Sequence, residues 1–170
     1  WELLVVNLWT GASPPMSARA NLANARAAGM LTAGYTVVNM TPALAVNKAA
    51  LAAGPEWEHL AFVSVDVEIA TTPAIVRQAV DSLRTLGKQV CIYTGGWFWN
   101  GLQGDFSDVS SWLADYDGNP AMDTARLARL GPVCGKQYKN SHDIGGVTVD
   151  ANTFIDSWIG EDMALSAEDK

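Results

Sequence analysis

Apolar, strand-like pieces alternate with helix-like pieces along most of this 170-residue chain. Glu2–Leu8 reads as a strand, and Ser13-Pro14-Pro15 then opens a helix over Ser17–Ala28 that Gly29 ends. Leu31–Val38 is the next strand, Ala43–Ala53 a helix closed by Gly54-Pro55, and Leu60–Val67 a strand again. Thr72-Pro73 places a capping hydroxyl before a proline at the first helical position. Ile75, Val76, Ala79, Val80, Leu83 and Leu86 then keep helical spacing until Gly87. Gln89–Thr94 is a strand running into the aromatic loop "GGWFWNG". Short strands are predicted at Trp112–Tyr116, Val133–Tyr138 and Val147–Val149, with a helix over Thr124–Leu130 among them. Helical crossovers between strands imply a parallel sheet with helices outside it. Seven strands with short late crossovers make the fold class α/β, an irregular (β/α) barrel rather than an open doubly wound sheet.

A chain of this length suits one domain, predicted over residues 1–160, followed by an acidic tail or linker at 161–170. The net charge of −7 leaves no basic stripe to displace counterions, which argues against nucleic acid. No apolar run approaches the ~20 residues of a spanning helix, so no membrane partner is expected. No glycine-rich phosphate loop follows any strand, no CxxC or His-rich spacing suggests a metal, and no cofactor is expected. Cys91 and Cys134 read as small buried hydrophobes, bridged only if their strands are neighbours.

The segment Ala61–Ile69, "AFVSVDVEI", carries the chemistry. Alternation puts Asp66 and Glu68 on one face at the C-terminal end of a buried strand, about 6–7 Å apart along the backbone. In such barrels functional residues gather at the C-terminal strand ends. Those ends supply Asn7 or Trp9, then Tyr35 and Asn39, then Asp66 and Glu68. Tyr93, Trp97 and Trp99 follow the fourth strand, Asp115 and Tyr116 the fifth, Gln137 and Tyr138 the sixth and Asp150 the seventh. Acids ringed by aromatics and amides suit a carbohydrate, whose C–H faces stack on rings while carboxylates bind its hydroxyls. Glycosidic hydrolysis needs one protonated carboxyl and a second group to stabilise the cationic centre. Burial and a neighbouring negative charge both favour the protonated form. Trp97 and Trp99 are both candidate substrate-binding residues, with core packing an equal alternative and room for one to point each way from the loop. Trp112 is expected to be core, and Asp115 and Asp117 to be solvated. Asp150 reads equally as a site acid and as the cap of a helix over Asn152–Trp158, and His59 and His142 carry no partner pattern.

"FVSVDVEI", "GKQVCIYTGGWFW", "SWLADY" and "GKQYKNSHDIGGVTVDANTF", in that order, resemble the family 25 glycoside hydrolases, the Ch-type lysozymes. That family has a D-x-E at the end of a central strand, then "IYT…FW", "W-x-A-x-Y" and "WQY…G…vD-x-N-x-F". "NLANARAAGMLTAGYTVVN" is similar to its "N…A…AGL-x-G-Y" helix and strand. The resemblance implies an irregular barrel of the TIM-barrel-like glycosidase type. It implies an N-acetylmuramidase, secreted or phage-associated, that cleaves the β-1,4 bond between N-acetylmuramic acid and N-acetylglucosamine in peptidoglycan. It makes Glu68 the general acid, Asp66 its partner acid and Asp150 the aspartate of the closing strand. Tyr35, Tyr93, Trp112, Tyr116, Gln137 and Tyr138 match positions lining or supporting the groove.

The sequence departs from the family in particular places. The family's first strand ends in a "G-x-D-x-S" aspartate, whereas Trp1–Gly11 corresponds to its second strand, so the barrel is expected to be incomplete at the N-terminus. A missing segment or a partner chain is expected to fill the gap, because an open barrel exposes strand edges. Asn7 stands where the family has a basic residue, Lys136 where "WQY" has its Trp, and "TVVN" follows Tyr35 in place of a His-containing run. The alternative these departures support is a non-catalytic, glycan-binding or structural module of the same fold.

Overall fold

The computed structural model describes residues 3–39, 41–99, 104–122 and 131–160. Seven strands form one sheet in sequence order: β1 (Leu3–Trp9), β2 (Leu31–Val37), β3 (Leu60–Asp66), β4 (Val90–Gly95), β5 (Ser110–Ala114), β6 (Val133–Ile144) and β7 (Val147–Phe154). Neighbours are parallel from β1 through β6, and β7 returns antiparallel to β6. The crossovers carry α1 (Ala18–Ala27), α2 (Pro42–Ala53), a 3-10 turn at Gly54–His59, and α3 (Pro73–Thr85), with single-turn helices α4 (Gly96–Trp99) and α5 (Asp156–Ile159) later. The sheet curls into an incomplete barrel whose end strands are β1 and β7. The helix expected at 124–130 and the tail at 161–170 lie outside the described residues.

Strand alternation sorts the side chains into two cores. Outward-facing Val63, Val65 and Val67 pack with Val76, Ala79, Val80 and Leu83 of α3 and with Val46 and Ala49 of α2. Inward-facing Ala33, Phe62, Cys91, Tyr93, Trp112, Ala114 and Cys134 fill the barrel. The signal at Thr72-Pro73 holds in atomic detail, because the Thr72 hydroxyl oxygen accepts from the Ile75 N–H at 3.3 Å. Gly34 belongs to the close packing of β2, since a Cβ there would lie 2.3 Å from the Leu8 side chain.

Two expectations need correction. The last two strands are long arms of one hairpin, turned by Gly145 and Gly146 at φ of +60° and +86°, conformations L side chains rarely adopt. Asp150 consequently lies inside β7 and caps no helix, and the helical turn begins only at Asp156. The reading of Cys91 and Cys134 as small buried hydrophobes holds: both are buried free thiols, on β4 and β6 with β5 between them.

Candidate active site

Register, rather than sequence proximity, assembles the site. Asn7 lies opposite Tyr35, Val37 opposite Asp66, Asp66 opposite Tyr93, Tyr93 opposite Trp112, Ala114 opposite Gln137, and Gln137 opposite Asn152. The inward-facing members form a belt at the C-terminal ends of the parallel strands. Asn7, Tyr35, Asp66, Tyr93, Trp112, Gln137 and Asn152 line a cavity of about 720 Å³ together with Glu68 and Asp150.

Asp66 is the buried member of the acid pair, at 6% exposure, and its Oδ1 has no hydrogen-bond partner among the described residues. Burial, reinforced by the negative charge of Glu68, pushes its pKa up to about 7. Glu68 follows the end of β3 and is half-buried. Desolvation, then the charge of Asp150, raises its pKa as well. Desolvation also raises Asp150, against the Gln137 side-chain hydrogen bond that favours its charged form. The described lining holds no Lys, Arg or His to offset Asp66, Glu68 and Asp150, and it adds a fourth acid, Asp156. Asn7, where the resembled pattern has a basic residue, donates to the Tyr35 hydroxyl at 3.0 Å and leaves its own Oδ1 unpartnered among the described residues.

A chain of hydrogen bonds supports this floor. Tyr93 donates to Gln137 Oε1, and its hydroxyl lies 3.2 Å from that of Tyr116. Burial drives the Tyr93 phenol far above its ordinary pKa, so it remains a neutral donor. Trp112 packs 4.6 Å from the Tyr93 ring and donates from Nε1 to Asn152 Oδ1 at 3.1 Å. Outside the floor, Trp97 and Tyr116 present an exposed aromatic pair, 61% and 41% accessible, with ring centroids 5.7 Å apart.

The structure thus gathers Asp66, Glu68, Asp150, Tyr35, Tyr93 and Gln137 around one cavity, with Tyr116 and Trp97 beside it. Trp99 is not with them. It is buried in the outer core with an edge-on contact to Phe106 at 5.3 Å, because the α4 turn sends the two tryptophans to different sides. Tyr138, next in sequence to the inward-facing Gln137, does not line the cavity. Trp112 does line it while also being core. Asp115 and Asp117 are not merely solvated, since the buried Lys136 ammonium pairs with both, at 3.8 and 2.8 Å. Asn152, expected at the start of a helix, lies instead in β7 and lines the cavity. Its spacing of two from Asp150 on a strand was the signal that both face one side.

The chain belongs to the glycosyl hydrolases family 25, whose sequence profile matches residues 14–147. Similar solved structures include the catalytic domain of an endolysin from a bacteriophage of Listeria monocytogenes. That likeness has a TM-score of 0.72 and 17% identity, covering 95% of this chain and 86% of that one. Another is a glycosyl hydrolase 25 virulence factor of Streptococcus pneumoniae participating in host cell invasion, at a TM-score of 0.74 and 18% identity over 89% of this chain and 75% of that one. Counting factor 45-1 of Dictyostelium discoideum is 30% identical over 92 residues, 51% of this chain and 31% of that protein, so the chain spans under a third of this curated relative's length. The barrel expected from the sequence is the family's fold.

Proposed function

We propose that this protein is a lysozyme-type N-acetylmuramidase, hydrolysing the β-1,4 bond between N-acetylmuramic acid and N-acetylglucosamine in peptidoglycan. The observation that carries the reading is the convergence of Asp66, Glu68 and Asp150 on one aromatic-lined cavity without a basic residue among its described lining. Glu68, the more accessible of the strand-end pair, donates its proton to the leaving glycosidic oxygen. Asp66 is the more buried of the pair, and the two like charges favour holding one proton between them. With that proton on Glu68, the Asp66 carboxylate stabilises the cationic centre. Asp150, held by Gln137, orients the sugar or the water. Tyr35, Tyr93 and Gln137 bind along the floor, while Trp97 and Tyr116 stack on a sugar face.

Such a substrate places the protein's work at the bacterial cell wall, outside a cell or in a phage. The same cavity extends between the end strands over Leu3, Val5, Ile144, Val149 and Phe154. That apolar stretch is suited to an extended segment, of this protein or of a partner chain, completing the barrel. Incubation with purified peptidoglycan tests the hydrolase: wild type is expected to release new reducing ends and Glu68→Gln to release none. Binding without cleavage by wild type would instead favour the non-catalytic glycan-binding module.

A further inference from the structure

Lys136 is an isolated cation in an unexpected place. Its side chain is 2% exposed, on a strand whose next residue, Gln137, faces the cavity. A buried ammonium requires paired acceptors, and among the described residues those it finds come from the segment after β5. Nζ lies 2.8 Å from both oxygens of Asp117, 3.3 Å from the Ala121 carbonyl and 3.8 Å from Asp115 Oδ2. The two carboxylates flank Tyr116 in sequence. The main chain fastens the same turn to β6 at either end, the Asp115 N–H donating to the Gln137 carbonyl and the Gly118 N–H to the Tyr138 carbonyl, each at 3.0 Å. Tyr116 itself is 41% exposed, touching Tyr93 through its hydroxyl and Trp97 through its ring. Its orientation therefore depends on the turn that carries it.

We propose that Lys136 is a positioning residue for the glycan groove: its ammonium clamps the turn at 115–118 and so fixes the Tyr116 ring against Trp97 and Tyr93. The glycan part of this assignment rests on the function proposed above; the clamp does not. This chain has lysine where the resembled "WQY" pattern has tryptophan. Methionine at 136 removes the buried charge and keeps the packing volume, and the partly exposed Asp115 and Asp117 can then hydrate, so the fold is expected to survive.

The test compares wild type, Lys136→Met, Tyr116→Ala and the double variant. One measurement is the affinity for a soluble tetramer of N-acetylglucosamine, another is kcat and KM on peptidoglycan, and a third is the Tyr116 ring signals of the free protein by NMR. Lys136→Met is expected to weaken tetramer binding and raise KM by about three- to tenfold, with kcat changed less, as for lost uniform binding. Adding it to Tyr116→Ala should cost nothing further. Without ligand, the Tyr116 ring protons should lose the shift imposed by the Trp97 ring. Lys136→Gln, which keeps a donor, serves if methionine is not tolerated and should move every readout the same way by less. Unmoved Tyr116 signals, or losses that add in the double variant, would overturn the proposal. If wild type fails to bind the tetramer the glycan reading fails, and the ring signals alone still decide whether Lys136 holds Tyr116.

Discussion

Tyr93 on β4 donates its hydroxyl hydrogen to Gln137 on β6, across the intervening strand β5, and Gln137 in turn bonds to Asp150 on β7. One phenol thus ties the fourth, sixth and seventh strands together at the level of the acids. Tyr93→Phe keeps the ring against Trp112 and removes that tie together with the hydroxyl contact to Tyr116. Stability should fall by about 1–2 kcal/mol, the cost of leaving buried polar groups unpaired. Cleavage of peptidoglycan should fall by about tenfold or more in kcat/KM, as Asp150 loses its fixed neighbour. Denaturant melts and steady-state kinetics on the same preparations check both.

The Asp66 carboxyl gives folding stability a pH dependence of known sign. Folded Asp66 keeps its proton to about pH 7, whereas a free aspartic acid releases it near 3.8. Between those values the unfolded chain binds fewer protons, so this group lowers stability as pH rises and leaves it unaffected below both. The full effect above pH 7 is at most about 4 kcal/mol. Glu68 and Asp150, also raised, act in the same direction. Asp66→Asn is expected to raise the melting temperature at pH 8, to change it little at pH 4, and to abolish the pH-dependent limb near neutrality in the activity profile. Thermal melts across that range provide the check.

Trp97 and Trp99, two residues apart, should respond oppositely to truncation. Trp97→Ala removes an exposed ring and should leave stability within about 0.5 kcal/mol while weakening glycan binding. Trp99→Ala empties a buried site against Phe106 and should cost about 3 kcal/mol or more. Melting and glycan titration of both variants separate the groove residue from the core residue.

Gly135 allows the barrel interior to close under the site. A Cβ there would sit 2.6 Å from the Phe154 ring and 3.1 Å from Trp112. Gly135→Ala should therefore destabilise by about 1–3 kcal/mol through overpacking. It should also perturb the near-ultraviolet circular dichroism of the aromatic cluster.

Much of this was legible in the sequence because it is local. Period-two alternation through "FVSVDVEI" puts Phe62, Ser64 and Asp66 inside and Val63 and Val65 outside, as found. Proline 73 after Thr72 and glycine 87 after Leu86 bracket α3 to within a residue or two. What was hidden is what depends on strands meeting. The Lys136 clamp joins residues nineteen apart through a loop whose local composition reads as solvated. The length of the β6–β7 hairpin comes from antiparallel pairing that carries β6 on through the polar run Lys139–Asp143, which has no apolar pattern to announce it. Which tryptophan of "GGWFW" faces outward is fixed by one helical turn that four residues cannot signal.

The central claim is that Glu68, above a buried Asp66, protonates a glycosidic oxygen of peptidoglycan. Its most direct test is mass spectrometry of the fragments released from purified peptidoglycan by wild type, Glu68→Gln and Asp66→Asn. The account predicts new reducing ends on N-acetylmuramic acid with wild type, none with Glu68→Gln, and a strongly reduced yield with Asp66→Asn. Undiminished cleavage by Glu68→Gln, or new reducing ends on N-acetylglucosamine alone, would contradict it.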